Sequence, residues 1–191
     1  MPTTEYVERL VNLLSPDHDL LLNATREEAV AALASGDPEK VRGLDGQFAL
    51  VHKDGTTVRM ARTIGRPMRY FLAKREAGPC LVVAERIDEI RSFLEEEGLE
   101  EQFHPSYTRM VPAHHVVELE LIGCPDPQPD YRRYFEPSQR EMAPDLDEIG
   151  RRYIGAVAEE CRRWLDGLDS DEPIGVLFSG GVDSGSLLLL L

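Results

Sequence analysis

Two adjacent glycines, Gly180 and Gly181, stand between an apolar run, Ile174 to Phe178, and the leucines Leu187 to Leu191. Glycine adopts backbone angles closed to other residues, so the pair permits a sharp turn whose N–H groups converge on one concavity. At the start of a helix such a concavity attracts anions, because the first helical N–H groups have no partner within the helix. Ile174 to Phe178 has the length and continuity of a strand buried on both faces of a parallel sheet, which predicts strand, turn and helix in succession. Ser179 and Ser184 add hydroxyls, and Asp183 adds a carboxylate able to hold Mg²⁺ between phosphates. The turn is read as a pyrophosphate site made of Ser179, Gly180, Gly181, Val182, Asp183 and Ser184, with Asp183 as the metal ligand.

The string lacks the Gly-Lys-Ser/Thr ending of a Walker A loop, so γ-phosphate transfer is not the natural chemistry. It also lacks the GxGxxG spacing of a dinucleotide fold and the GxSxG of a hydrolase elbow. No catalytic residue is assigned from the sequence.

The rest of the composition bounds the partners. Acidic residues outnumber basic ones 35 to 21, a net charge of −14, which would repel nucleic acid and an anionic membrane face alike. An anionic ligand must then be held by local backbone dipoles and a metal. Cys80, Cys124 and Cys161 form an odd, scattered set with no CxxC pair, which fits a reducing compartment, and no apolar run approaches a membrane span. A cytoplasmic protein is expected.

Along the chain, Tyr6, Val7, Leu10, Val11 and Leu14 repeat at helical spacing and predict a first helix, ended by Ser15-Pro16-Asp17. Thr25, with Glu28 three residues on, predicts a capping box for a second helix running to Ala34. Short β-rich runs follow at Gln47 to Lys53, Thr57 to Arg62, Met68 to Lys74 and Leu81 to Ala84, with a hairpin at Asp54-Gly55. Four such neighbours read as an antiparallel meander, with Ile87 to Glu97 as a helix laid on it. His115 to Ile122 alternates like a half-buried strand. A proline-rich stretch from Gly123 marks the domain boundary, placing residues 1–137 in one domain and 138–191 in the next. Asp145 to Leu168 carries apolar residues at spacings of three and four and predicts a long amphipathic helix. His114 and His115, adjacent on a strand, would face opposite ways and share no metal ion. Cys161 reads as core.

SGGVDS after a short apolar strand resembles the PP-loop of the N-type ATP pyrophosphatases, and the lead-in from Pro173 is similar to that of asparagine synthetases. In that family the loop holds the pyrophosphate of ATP with Mg²⁺. A substrate carboxylate attacks the α-phosphorus to give an acyl-adenylate, which an amine opens. Leu44-Asp-Gly-Gln-Phe-Ala-Leu-Val, Ala61-Arg62, Gly65-Arg-Pro-Met-Arg-Tyr70 and Leu81-Val-Val-Ala-Glu85 resemble the second half of the family's glutaminase domain. Val111-Pro-Ala-His114 and Tyr131-Arg-Arg-Tyr-Phe135 are similar to the segments that close it. Taken singly, Phe48, Leu50 and Val51 read as core, and Arg62 and Arg66 as solvated turn charges.

The resemblance implies an α+β chain: a shortened, degenerate Ntn-hydrolase-like αββα domain followed by the start of an α/β ATP-pyrophosphatase domain of the adenine nucleotide α-hydrolase type. Family glutaminases use a cysteine at position 2 as nucleophile; here that residue is Pro2. Cysteine-less relatives, such as β-lactam synthetase and the lasso-peptide cyclases, take the amine from the substrate. The expected activity is therefore an AMP-forming ligase making an amide or lactam bond. Its cofactors would be ATP and Mg²⁺, and its partners a small-molecule or peptide carboxylate and a second copy or partner enzyme. The alternatives are a non-catalytic scaffold derived from the family, or a glutamine amidotransferase whose start has been misassigned. Leu191 lies seven residues beyond Ser184, so the chain reads as an inactive fragment of the parent ligase.

Overall fold

The computed structural model describes residues 9–75, 78–121, 127–139, 141–168 and 173–191. The chain is α+β and divides into two compact units, Met1–Glu136 and Pro137–Leu191.

The first unit opens with strand β1 (Arg9–Asn12), a 3₁₀ turn at Pro16–His18 and the short strand β2 (Leu20–Leu21). Helices α1 (Arg26–Ala34) and α2 (Pro38–Arg42) precede β3 (Gly46–Gln47), β4 (Ala49–Asp54), β5 (Thr57–Arg62), β6 (Arg69–Arg75) and β7 (Gly78–Ala84). Helix α3 (Ile87–Glu96) leads to β8 (Arg109–Met110), β9 (His115–Glu120) and β10 (Asp130–Arg133). The second unit contributes α4 (Leu146–Asp166) and α5 (Val182–Leu190).

Several of these elements form for local reasons. Thr25 Oγ1 accepts from the Glu28 amide at 3.3 Å while Glu28 accepts from the Thr25 amide at 2.8 Å, the reciprocal box its sequence predicts. Asp54 pairs with Thr57 across a two-residue turn in which Gly55 takes φ +56°. That is the left-handed geometry for which the Asp-Gly pair is suited. Asp145 caps α4 by accepting from the Asp147 and Glu148 amides.

The strands are sorted into two four-stranded sheets, in orders β1-β7-β6-β8 and β10-β9-β5-β4, with β2 and β3 paired separately. Alternate residues of each strand enter different clusters. Ala49, Val58, Met60, Tyr70, Leu81, Val83, Val117 and Leu119 meet between the sheets. Leu50, Ala61 and Val116 point the other way, against Ala29 and Leu33 of α1 and Val41 of α2. Phe71, Ala73, Cys80, Val82 and Ala84 likewise point outward, against Ile90 and Leu94 of α3. The result is four layers: helix, sheet, sheet, helix. Because both faces of each sheet are covered, the strands read as near-continuous apolar runs.

Two expectations are corrected. The predicted first helix is the strand β1 over its described part, while Tyr6 and Val7 lie outside the described residues. β1 runs parallel to β7, with Leu10 beside Leu81 and Val11 beside Val82. Leu10 packs on the inter-sheet cluster and Val11 on the α3 side. A strand covered on both faces needs adjacent apolar residues, and over so few positions that pattern coincides with helical spacing. The four-strand meander is also replaced. β4 and β5 belong to one sheet and β6 and β7 to the other, so residues 63–68 cross between layers. α2, β2, β8 and β10 are additions to the expected elements. Cys124 and Ile122 lie outside the described residues.

The segment that crosses between sheets explains a third correction. Arg62 and Arg66, read as solvated charges, are only 8% and 5% exposed. Arg66 donates from Nε to Asp19 at 3.0 Å, and from its two terminal nitrogens to Glu85 at 2.7 Å and the Ser15 carbonyl at 3.1 Å. Asp19 also accepts from the Ala49 amide at 3.0 Å and from Arg26. Among the described residues Arg62 has no carboxylate partner: it donates to the carbonyls of Val111 at 2.5 Å and of Thr63 and Arg66 at 3.2 Å each. Burial lowers its pKa. The Tyr134 hydroxyl in turn donates to the Arg62 carbonyl at 2.8 Å. These bonds tie the chain leaving β5 to the 3₁₀ turn, to β7 and to the loop before β9.

Candidate functional site

The glycine-rich turn lies in the second unit. Gly180 takes φ +82°, and a Cβ there would meet nothing within 4 Å. Glycine is therefore required by backbone conformation rather than by space. Gly181 is the N-cap of α5 and supplies no side chain to cap it. Among the described residues the first-turn amides of Val182, Asp183 and Ser184 accordingly have neither intrahelical nor side-chain acceptors, the arrangement that binds anions. Helical bonding begins with the Gly185 amide, which donates to Gly181 O at 3.0 Å.

Two hydroxyls shape the turn. Ser184 Oγ accepts from the Ser179 amide at 3.3 Å and donates to Gly181 O at 3.3 Å, and it lies 3.1 Å from Ser179 Oγ. Six residues thus fold back on themselves, bringing Ser179 and Ser184 together at the head of the helix. Asp183, in the first turn, is exposed. Val182 can contribute only its amide. The turn is open to solvent, so a diphosphate can approach it. Among the described residues no group of three or more His, Cys, Asp or Glu side chains gathers as a metal site. Any Mg²⁺ here would be held by one protein carboxylate and by phosphate oxygens, a coordination usual for that ion.

The strand predicted before the turn is not formed. Ile174 to Phe178 is irregular, with Leu177 95% and Phe178 59% exposed. A parallel strand draws its hydrogen bonds from neighbours. Among the described residues the second unit contains only α4 and α5, so nothing lies alongside to pair. The apolar face of α4 is present as predicted, but none of its residues is buried and Cys161 is only partly covered.

In the first unit, Cys80 is free and buried under α3, which removes it as a nucleophile. His114 precedes β9 with φ +60°, its ring against Tyr134 and Phe135 at 5.8 and 5.1 Å. Burial, with Arg62 and His115 nearby, lowers its pKa. His115 bonds the Ala113 carbonyl at 2.8 Å.

The first unit also holds a cavity of about 410 Å³ beside β6, where β8 pairs only with Arg69 and Tyr70. Tyr70, Leu72 and Lys74 line it from alternate positions of β6, Arg109 from β8 and Leu119 from the facing sheet. Tyr70 is 3% exposed, and its hydroxyl makes no well-formed hydrogen bond among the described residues, although Tyr131 and Arg109 lie close to it. Burial pushes its pKa up to about 12; the neighbouring Tyr131 adds to the rise and Arg109 opposes it. An unsatisfied buried hydroxyl costs about 1–3 kcal/mol. No sequence spacing relates Tyr70 to Arg109; the two positions meet only through the pairing of β6 with β8.

No family model matches this chain, and no curated protein matches it. Among the described residues no helix is long and apolar enough to cross a membrane.

Proposed function

We propose that the chain is the N-terminal part of an asparagine-synthetase-like, AMP-forming ligase, with residues 179–184 as its pyrophosphate cradle. The first unit is then a degenerate Ntn-hydrolase-like αββα domain. Its four layers agree with that reading. The observation that carries the nucleotide assignment is the solvent-facing turn at Gly180, which leads into a helix start with no side-chain cap.

In this reading the amides of Val182, Asp183 and Ser184, with the hydroxyls of Ser179 and Ser184, hold the β- and γ-phosphates of ATP. Asp183 holds Mg²⁺. ATP supplies an activated α-phosphorus that a substrate carboxylate can attack, with pyrophosphate as leaving group. The protein's part is to fix the pyrophosphate and offset its charge, which the strongly acidic chain can do only through local dipoles and the metal. The amine comes from the substrate rather than from glutamine.

Calorimetry with Mg-ATP, together with ATP–pyrophosphate exchange over a panel of carboxylic acids, both on the full-length parent protein, tests this. Binding is expected, with Asp183→Ala abolishing it. Gly180→Ala should weaken it by roughly tenfold, since a strained backbone costs on the order of 1–3 kcal/mol. Failure of the protein to bind Mg-ATP refutes the assignment. It would leave the non-catalytic scaffold as the surviving account.

A further inference from the structure

Strand β6 is accompanied by β7 over its whole length, but on its other side β8 pairs with Arg69 and Tyr70 alone. In an antiparallel ladder the N–H and C=O of one residue aim at the same neighbour, and those of the next residue aim the opposite way. The Val111 amide donates to the Met68 carbonyl at 3.0 Å, so the groups of Met68, and two residues on those of Tyr70, aim at β8. Phe71 and Ala73 aim at β7. Leu72, next in the series after Tyr70, therefore aims its N–H and C=O past the end of β8, where the described residues offer no strand to receive them. Continued backwards, the register of β8 would set Tyr107 opposite Leu72. Instead Tyr107 closes the 3₁₀ turn Pro105–Tyr107, its amide donating to the His104 carbonyl at 3.0 Å. The turn carries the chain off the line of β8 and leaves a groove along β6. That groove is the cavity of about 410 Å³, walled by Leu72, by Leu119 of the facing sheet and by Gln102, Ser106 and Tyr107. Tyr107 is 71% and Met110 47% exposed, on either side of Arg109; Tyr, Met and Arg are the residue types enriched where proteins meet.

We propose that this groove takes an extended peptide segment of a partner protein, added to the sheet antiparallel to β6 and in line with β8. A row of main-chain donors and acceptors that runs past its neighbour is the template such strand addition uses. One partner residue pairs with Leu72, donating its N–H to the Leu72 carbonyl and accepting from the Leu72 N–H. Its side chain falls on the same face as that of Leu72, which packs toward the inter-sheet cluster. That position enters the groove against Leu119 and is apolar. The residues on either side of it turn to the opposite face. The charged residues among the described lining, Lys74 and Arg109, are both cations in a chain of net charge −14, so an acidic segment is accepted here and repelled by the chain as a whole. The acidic residue stands two positions before the apolar one, level with Lys74. The site gives the first unit a recognition role that rests on main-chain register and needs neither a nucleophile nor ATP.

The test uses the whole chain without nucleotide, so its outcome is separable from that of the ligase proposal. The probe is a blocked hexapeptide, acetyl-Ser-Glu-Val-Leu-Thr-Ser-amide, followed by amide chemical shifts and hydrogen exchange. In the peptide-free chain the Leu72 amide should exchange at least about tenfold faster than those of Phe71 and Ala73, which are bonded to β7. The peptide should slow Leu72 by about tenfold or more, leave Phe71 and Ala73 nearly unchanged, and shift amides on β6, β8 and the Pro105–Tyr107 turn. Methylating the nitrogen of the peptide's leucine removes the donor aimed at Leu72 and should weaken binding about tenfold. Methylating that of the adjacent valine, which faces away from β6, should cost little. Replacing the peptide's glutamate with lysine should weaken it several-fold. Leu72→Pro deletes the same bond from the protein side while sparing the ladder to β7, and should erase binding; the methylated peptides decide the matter even where that variant fails to fold. The proposal is overturned if millimolar peptide does not bind, if Leu72 is already protected in the peptide-free chain, if the two methylated peptides bind alike, or if sedimentation shows a second copy of the chain filling the groove.

Discussion

Replacing Arg66 with methionine removes three hydrogen bonds from the crossover between the sheets while keeping an unbranched apolar stem. Two of the lost partners are carboxylates: Asp19, whose side chain is 4% exposed, and Glu85, at 16%. Breaking a buried ion pair from one side costs about 3–5 kcal/mol, because the remaining charge stays buried. Here Asp19 keeps Arg26 and the Ala49 amide, and Glu85 keeps His18 at 2.9 Å, so the lower end, about 3 kcal/mol, applies. For a unit of this size that corresponds to a fall in melting temperature of roughly 10 °C. Thermal and urea unfolding by circular dichroism at neutral pH measures it, with Arg66→Lys expected to fall between parent and variant because it keeps charge without the planar fork. The acid limb gives a second reading. Burial acts to raise the Glu85 pKa, but bonds from His18 and Arg66 outweigh it and hold the group below its ordinary 4.5. The stability this contributes is present above 4.5 and is lost as pH falls through the lowered value. The variant should lose less stability over that window than the parent. An Arg66→Met protein that melts within about 2 °C of the parent would refute the reasoning.

Two further outcomes are expected. Thr25→Ala removes the N-cap of α1 and should cost about 1 kcal/mol, read as a lower urea midpoint with unchanged slope. His114 has its pKa lowered by burial from 6.5, so the unfolded chain takes up its proton first and stability falls as pH drops below 6.5 toward the lowered value. His114→Asn, which tolerates the positive φ, should flatten that slope; an unchanged slope in urea titrations between pH 7 and 5 would assign it to another group.

Much of the local structure was legible in the residues themselves. The Thr25 box, the Asp54-Gly55 hairpin, the strand from Thr57 to Arg62 and the helices α3 and α4 each rest on interactions within a few positions, or on one repeating face. The order Ser-Gly-Gly-Val-Asp-Ser likewise predicts a turn before a helix, because the φ of Gly180 and the uncapped start of α5 are backbone properties of those residues.

Tertiary structure decided what depends on distant partners. Leu10 and Val11 became a strand because Leu81 and Val82, some seventy positions away, offered edge hydrogen bonds and two covered faces. Arg62 and Arg66 became interior because the crossover placed carbonyls and carboxylates around them, and without those partners burying either guanidinium would have been prohibitive. Ile174 to Phe178 has a strand's composition and, among the described residues of its unit, no strand beside it; composition states a preference, but pairing requires a neighbour. The cavity between Tyr70 and Arg109 exists only because β6 and β8 meet side by side, a closeness that chain order does not encode.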